Sequence, residues 1–227
     1  MKNPIALDLF CGGGLVARGL LAAGFKTIVG IDIAPHAEQY PGDFIQADLN
    51  DNLPVRIEEF DFVWASPPCQ RYSTLIRCFH PHLIETYPDF IPRVRELLAG
   101  HPMTCIENVL GAPLAKHLRL TGPTVGLNRI QRMRAFELSP EVQLRCGQLP
   151  VLNLSRESWE RGENLSVTRA MTGQTKYRTR IGLPAKPPIE ELRVAMGLDP
   201  DDSLTQEQIG EGVPPQYSEY IGRMALR

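Results

Sequence analysis

Short apolar runs alternate with helically spaced segments along the first half of the chain. Ile5–Phe10 is apolar except at Asp8 and leads into Gly12-Gly13-Gly14, after which Leu15–Ala23 carries apolar residues at helical spacing. Thr27–Ile33 is β-branched and apolar with Asp32 at its end, and Phe44–Ala47 and Phe62–Ala65 are two further strand candidates. A helix is predicted over Asp89–Ala99, and Thr104–Ile106 reads as a strand running out into Glu107. Strands alternating with helices predict an α/β fold, with a mostly parallel sheet covered on both faces. In such a sheet ligands bind beyond the carboxyl ends of the strands. Phe10–Gly14, Asp32, Asp48, Pro67–Cys69 and Glu107–Asn108 all fall at predicted strand ends, so they are expected to line one edge.

The second half is patterned differently. Arg129–Leu138 is strand-like, Ser139–Pro188 is rich in polar and turn residues, and Pro187-Pro188 precedes a predicted helix at Ile189–Met196. Ser218–Leu226 reads as a closing helix entered through Pro214-Pro215. The pattern divides the chain into a core over 1–138, a small recognition insertion over 139–188, and a C-terminal part over 189–227 that returns to the core.

Composition narrows the class. The 227 residues suit one domain with a small insertion, and 43% hydrophobic against 22% charged residues excludes wholesale disorder. No stretch approaches the roughly 18 apolar residues of a membrane span, and Met1-Lys2-Asn3-Pro4 runs into a strand without a secretory signal. The five cysteines form no CxxC pair, so neither a metal site nor a disulfide framework is expected, and a reducing cytoplasm is the default.

The net charge of −2 is unevenly spread: −3 over residues 1–125, +6 over 126–186 and −5 over 187–227. No acid lies between Glu163 and Glu190, while Arg169, Lys176, Arg178, Arg180 and Lys186 do. Such a stretch is either a solvated loop or a phosphate-facing surface, and charge alone does not choose between them.

Four segments carry chemistry. Phe10-Cys11-Gly12-Gly13-Gly14, between strand and helix, leaves backbone amides free for close approach of a polar ligand. Asp32 follows about 20 residues on, where a carboxylate accepts both hydroxyls of a ribose; alone it would be read as a helix-capping acid. In Ser66-Pro67-Pro68-Cys69-Gln70-Arg71-Tyr72-Ser73 the prolines fix the backbone beyond a strand and hold Cys69 in an exposed loop. A lone cysteine is more often a small buried hydrophobe, but this placement suits a nucleophile, with Arg71 near enough to favour the thiolate. Glu107-Asn108-Val109 offers a carboxylate that is either a cap or salt-bridge partner, or a general acid with a raised pKa. Gln131-Arg132-Met133-Arg134 alternates on the predicted strand, so Arg132 and Arg134 are expected on one face, paired with surface acids or holding a base oxygen and a phosphate.

The order DLFCGGG, PPCQ, ENV, QRMR and IGEGVPP resembles the DNA (cytosine-5)-methyltransferase family from end to end of the chain. The resemblance implies a class I methyltransferase fold that binds S-adenosylmethionine. It assigns Phe10, Gly12 and Gly14 to the cofactor loop, Asp32 to the ribose and Asp48 to the adenine, with Pro68, Glu211 and Gly212 also at the cofactor. Cys69 becomes the nucleophile attacking cytosine C6, Glu107 the acid protonating N3, and Arg132 and Arg134 the arginines of the catalytic site, Arg134 contacting the base. The base must be flipped out of the duplex, with Arg71, Tyr72, Arg169, Lys176, Arg178 and Arg180 as candidates for holding the DNA. Double-stranded DNA is the implied substrate, and the protein is expected to act as a monomer, a partner being one route to target recognition.

The chain departs from the family's pattern twice. Glu211 stands where the family usually has Asn, which puts a second carboxylate near the methionine carboxylate unless Glu211 points away or meets the amino group. Only residues 137–210 separate QRMRAF from the last motif, much less than the family's usual recognition region. An amino-methyltransferase would put an aromatic residue at Cys69, an RNA cytosine-5 methyltransferase would use the same chemistry, and a silent nucleic-acid-binding module would need none of it. Restriction protection, defence evasion and gene regulation all use this reaction.

Overall fold

The computed structural model describes residues 3–161, 163–165, 179, 182 and 187–227. Its centre is a seven-stranded sheet. β1 (Ile5–Leu9), β2 (Thr27–Asp32), β3 (Asp43–Gln46), β4 (Phe62–Ala65) and β5 (Thr104–Asn108) run parallel, and β6 (Leu118–Leu120) and β7 (Arg134–Leu138) complete it in the order β3-β2-β1-β4-β5-β7-β6. β7 is antiparallel to both β5 and β6. The connecting helices are α1 (Leu15–Ala23), α2 (Thr74–Phe79) and α3 (Ile91–Leu97). After the sheet come α4 (Pro140–Cys146), α5 (Arg156–Glu160), α6 (Ile189–Ala195), α7 (Gln206–Glu211) and α8 (Pro215–Ala225).

Alternation along the strands sends side chains into two cores, as a sheet covered on both faces requires. Ala6, Phe62, Trp64, Cys105 and Phe136 face α1 and α8, where Val16, Leu20, Tyr217 and Ile221 meet them. Leu7, Leu9, Val63, Ala65 and Ile106 face the other way, against Ile91, Val94 and Leu98. A third cluster joins Leu15 of α1 to Leu192, Met196, Leu204 and Ile209, which docks the C-terminal segment beside the glycine loop. An ion pair from Arg18 to Asp202 adds to that junction.

α8 lies against α1 at Gly19, where a methyl would overlap the Pro215 carbonyl and the Ser218 hydroxyl. Ser218 Oγ instead donates to Val16 O at 2.9 Å. The glycine is needed for close helix approach.

Three expectations are corrected. The strand predicted over 129–138 begins only at Arg134, and Arg132 has φ of 25°, so strand alternation does not place Arg132 and Arg134 on one face. Glu107 and Asn108 lie inside β5 rather than after it. Residues 140–146, assigned by pattern to the insertion, form α4, whose Val142 and Cys146 are buried in the main core. Among the described residues no helix is long and apolar enough to cross a membrane.

Two stability predictions follow from this packing. Gly19→Ala separates α1 from α8 and lowers unfolding free energy by about 1–3 kcal/mol in urea titration. Asp8 lies fully buried under α1, one carboxylate oxygen accepting from Tyr40 Oη at 3.1 Å and the other without a partner among the described residues. Burial, reinforced by Asp32, lifts its pKa from 3.8 to about 8, although the Tyr40 hydrogen bond opposes the shift. The folded protein therefore holds this proton more tightly than the unfolded chain, and stability falls as pH rises between those values. Asp8→Asn removes this contribution, flattening the slope of stability against pH by up to about 1.4 kcal/mol per pH unit.

Candidate active site

A cleft of about 750 Å³ opens along the carboxyl ends of the parallel strands. Its floor on one side is the turn after β1. Phe10 has φ of 57°, a conformation a bulky residue rarely adopts, and its ring meets Phe90 edge-on at 5.3 Å. Gly12 has φ of 49° and no atom within 4 Å of where a Cβ would stand, so its α-carbon borders open space in the cleft, while its amide, expected to be free, is taken by Asp32. Asp32 Oδ2 accepts from Gly12 N at 2.9 Å and Oδ1 from Ala34 N at 3.0 Å. Each oxygen keeps lone pairs for a further donor. Asp48 lines the same side, its Oδ1 accepting from Asn50 N at 2.9 Å.

Cys69 stands at the other side, at the entry to a short 3₁₀ turn over Gln70–Tyr72. The preceding prolines are held by Asn108, whose Nδ2 donates to Pro67 O at 2.9 Å from the end of β5. One residue earlier Glu107 points into the cleft and receives Arg134 Nε at 2.9 Å in a buried ion pair. The Ser66 hydroxyl accepts Trp64 Nε1 at 2.7 Å and donates to the Glu107 carboxylate. Burial raises the pKa of Glu107, with Arg134 and then Arg132 opposing it. Burial also raises the Cys69 thiol, with Arg134 again opposing and Glu107 adding to the rise. The arrangement joins a thiol, a carboxyl group that burial drives toward its protonated form, and an arginine whose charge restrains both shifts.

The structure brings Phe10, Gly12, Asp32, Asp48, Pro68, Cys69, Glu107, Arg134, Glu211 and Gly212 to this one cleft. Four of the expected site residues do not line it. Gly14 caps α1 with φ of 78°, and a methyl there would overlap Pro41, so its glycine is set by turn and packing. Arg132 is buried behind the wall. Arg71 is tied to the following loop, donating to Glu85 Oε2 at 2.8 Å and Tyr87 O at 3.0 Å. Tyr72 is buried and hydrogen-bonds Asp89. Arg169, Lys176, Arg178, Arg180 and Lys186 lie outside the described residues.

Sequence reasoning missed Ser66, Asn108 and Gln208. Ser66 and Asn108 sit inside the motifs SPPC and ENV, and their hydrogen bonds explain why those short strings hold together. Gln208 lines the cleft and closes the capping box of α7 with Thr205, a signal visible in Thr205-Gln206-Glu207-Gln208.

The fold is that of the class I S-adenosylmethionine-dependent methyltransferases. The Entamoeba histolytica methyltransferase EhMeth superposes with a TM-score of 0.60 over 100% of this chain and 98% of its own, at 15% identity. Residues 6–76 match the family model of C-5 cytosine-specific DNA methylases. The type II methyltransferase M.AgeI of Thalassovita gelatinovora is 30% identical over 82 residues, covering 30% of this chain and 19% of its own length. M.XorII of Xanthomonas oryzae pv. oryzae, also a type II methyltransferase, is 26% identical over 132 residues, covering 52% and 31%. The matches span between a fifth and a third of those two proteins. Together these findings show that residues 6–76 are similar to the C-5 cytosine-specific DNA methylases and that the chain shares the fold of solved methyltransferases.

The electrostatics of the cleft predict the reactivity of Cys69. Alkylation by iodoacetamide, followed at Cys69 by mass spectrometry, will report a thiol that ionises at higher pH than a free cysteine. Arg134→Gln removes the opposing cation and moves that titration further up. An unshifted titration in the variant would show that Arg134 does not act on the thiol.

Proposed function

We propose that the chain methylates C5 of cytosine in DNA, using S-adenosylmethionine. The observation that carries the reading is the meeting of Cys69, Glu107 and Arg134 at one side of a cleft whose other side is the Gly12–Asp32 turn. The turn fits the cofactor: Gly12 leaves open space where a side chain would stand, and Asp32 retains lone pairs for ribose hydroxyls. Phe10, Asp48, Pro68, Glu211 and Gly212 complete the proposed cofactor side. When bound, the cofactor supplies a methyl group made electrophilic by its sulfonium.

The protein's own residues make C5 able to accept it. The Cys69 thiolate forms a bond to C6 while Glu107 gives its proton to N3, so the ring electrons shift onto C5. A raised pKa suits Glu107 to this role, because the acid must carry a proton at neutral pH. Arg134 orients Glu107 and contacts the base. Once C5 has been substituted, loss of its proton and departure of the Cys69 sulfur restore the aromatic ring. The base must leave the duplex to reach Cys69. We assign target reading to the stretch after α4 up to residue 188, with the basic residues 169–186 facing phosphate.

DNA is favoured over RNA by the names of the related type II methyltransferases. Those names also favour a place in restriction–modification. RNA is the second reading, favoured by the few residues between QRMRAF and the last motif.

Bisulfite sequencing of a host free of cytosine methylation, expressing the protein, tests the proposal. Conversion-resistant cytosines in one short context are expected, and Cys69→Ala should abolish them while retaining cofactor binding. Resistant cytosines confined to RNA would replace the DNA reading, and full activity in Cys69→Ala would exclude the covalent route.

A further inference from the structure

Arg132 belongs to the motif that also supplies Arg134, yet the two guanidinium groups go to different places. Arg134 reaches Glu107 and lines the cleft, whereas Arg132 turns away and does not line it. Its Nη2 donates to Gly210 O at 2.7 Å and also to Gly212 O. Those carbonyls flank Glu211, and residues 210–213 form a strap along the cleft wall. The backbone of Arg132 is fixed as well: it is in the left-handed region, and its carbonyl accepts Tyr217 Oη at 2.7 Å from α8.

Within the strap, Gly212 N donates to Gln208 O at 2.9 Å and Val213 is buried in the core. Gly212 lies so close to Leu15 that a side chain would overlap it, and Gly13 would meet Leu204 Cδ2 at 2.8 Å if it carried a Cβ. A short displacement of the strap would therefore reshape the wall of the cleft that Gly12 also lines. The last carbonyls of α7 also lack partners within their own helix, as at any helix end. Arg132 satisfies two carbonyls with one nitrogen.

The cost of this arrangement is visible. The guanidinium is buried, and Nε and Nη1 have no partner among the described residues. Burial and the nearby Arg134 lower its pKa to about 9, with Glu107 opposing, so it remains a cation at neutral pH. An apolar residue of similar size would usually stabilise such a position as well or better. It would not hold the strap.

We propose that Arg132 is a positioning residue for the cofactor side of the cleft, fixing the 210–213 strap from behind instead of contacting cytosine. This inference rests on the reading that the cleft takes S-adenosylmethionine.

The test is calorimetric titration with S-adenosylhomocysteine, which needs no turnover. Arg132→Gln is expected to weaken binding about tenfold, and Arg132→Lys to recover it to within about threefold, because one ammonium can donate to both carbonyls. Arg134→Gln, on the base side, should remain within about twofold of the unaltered protein. Arg132→Gln binding as tightly as the unaltered protein overturns the proposal. So does equal weakening by Arg132→Gln and Arg134→Gln, which would mark a general charge effect, or a lysine variant as weak as glutamine.

Thermal melting of each variant separates lost folding from a displaced strap. If Arg132→Gln does not fold, Tyr217→Phe, which frees the Arg132 carbonyl, carries the test: about threefold weakening is expected, and unchanged affinity overturns the proposal. No binding by the unaltered protein would remove the cofactor reading itself, and this inference with it; a variant-specific failure would leave that reading standing.

Discussion

The buried ion pair between Glu107 and Arg134 is the interaction on which the site depends, and the sheet is built in the one way that permits it. β5 runs parallel to its neighbours, so its last residues, Glu107 and Asn108, arrive at the cleft. A further parallel strand would bring only its own carboxyl end there. Because β7 runs antiparallel, its first residue, Arg134, stands at the cleft with the preceding loop beside it. Two strands thus deliver a carboxyl group and a guanidinium by opposite ends. Buried pairs seldom add net stability over apolar replacements. The value of this one lies in chemistry: burial drives both Glu107 and Cys69 toward their protonated forms, and Arg134 limits how far.

The supporting contacts follow from the same placement. Asn108, next to Glu107, holds Pro67, and so the loop carrying Cys69 is tied to the strand carrying the acid. Ser66 links Trp64 of β4 to the Glu107 carboxylate. The relation between the Cys69 thiol and the Glu107 carboxyl group is therefore set by rigid strands, with little left to the loop.

Much of this was legible in the sequence because local pattern and tertiary demand agree in the first half. Leu15–Ala23 and Phe62–Ala65 form the elements their patterns predict, with the same bounds, and the residues expected at strand ends line one cleft, Gly14 and Asn108 excepted. The failures are places where a long-range contact decides. Arg129–Leu138 alternates like a strand, but Arg132 is drawn off it by Tyr217 and the Gly210–Gly212 strap, none of which is near it in sequence. The three glycines look equivalent as letters. Only the fold shows that Gly12 and Gly13 both border the cleft, Gly13 tight against Leu204, while Gly14 is pressed against Pro41 and does not line it. In α4, polar neighbours masked a helix whose Ser139-Pro140 start and buried Val142 and Cys146 assign it to the core.

Glu211 is the residue where resemblance and physical chemistry pull apart. It adds a carboxylate to a cleft that Asp32 and Asp48 also line, with no basic side chain next to it in sequence. The backbone that carries it is held from behind. Arg132 binds the carbonyls of Gly210 and Gly212 on either side of Glu211, so a buried positive charge lies against the backbone that carries the negative one. The Glu211 side chain itself is exposed, so solvent screens its charge, and the buried cation acts on the backbone carbonyls on either side of it. The Asn-to-Glu departure is therefore a solvated side chain on a backbone that Arg132 holds in place.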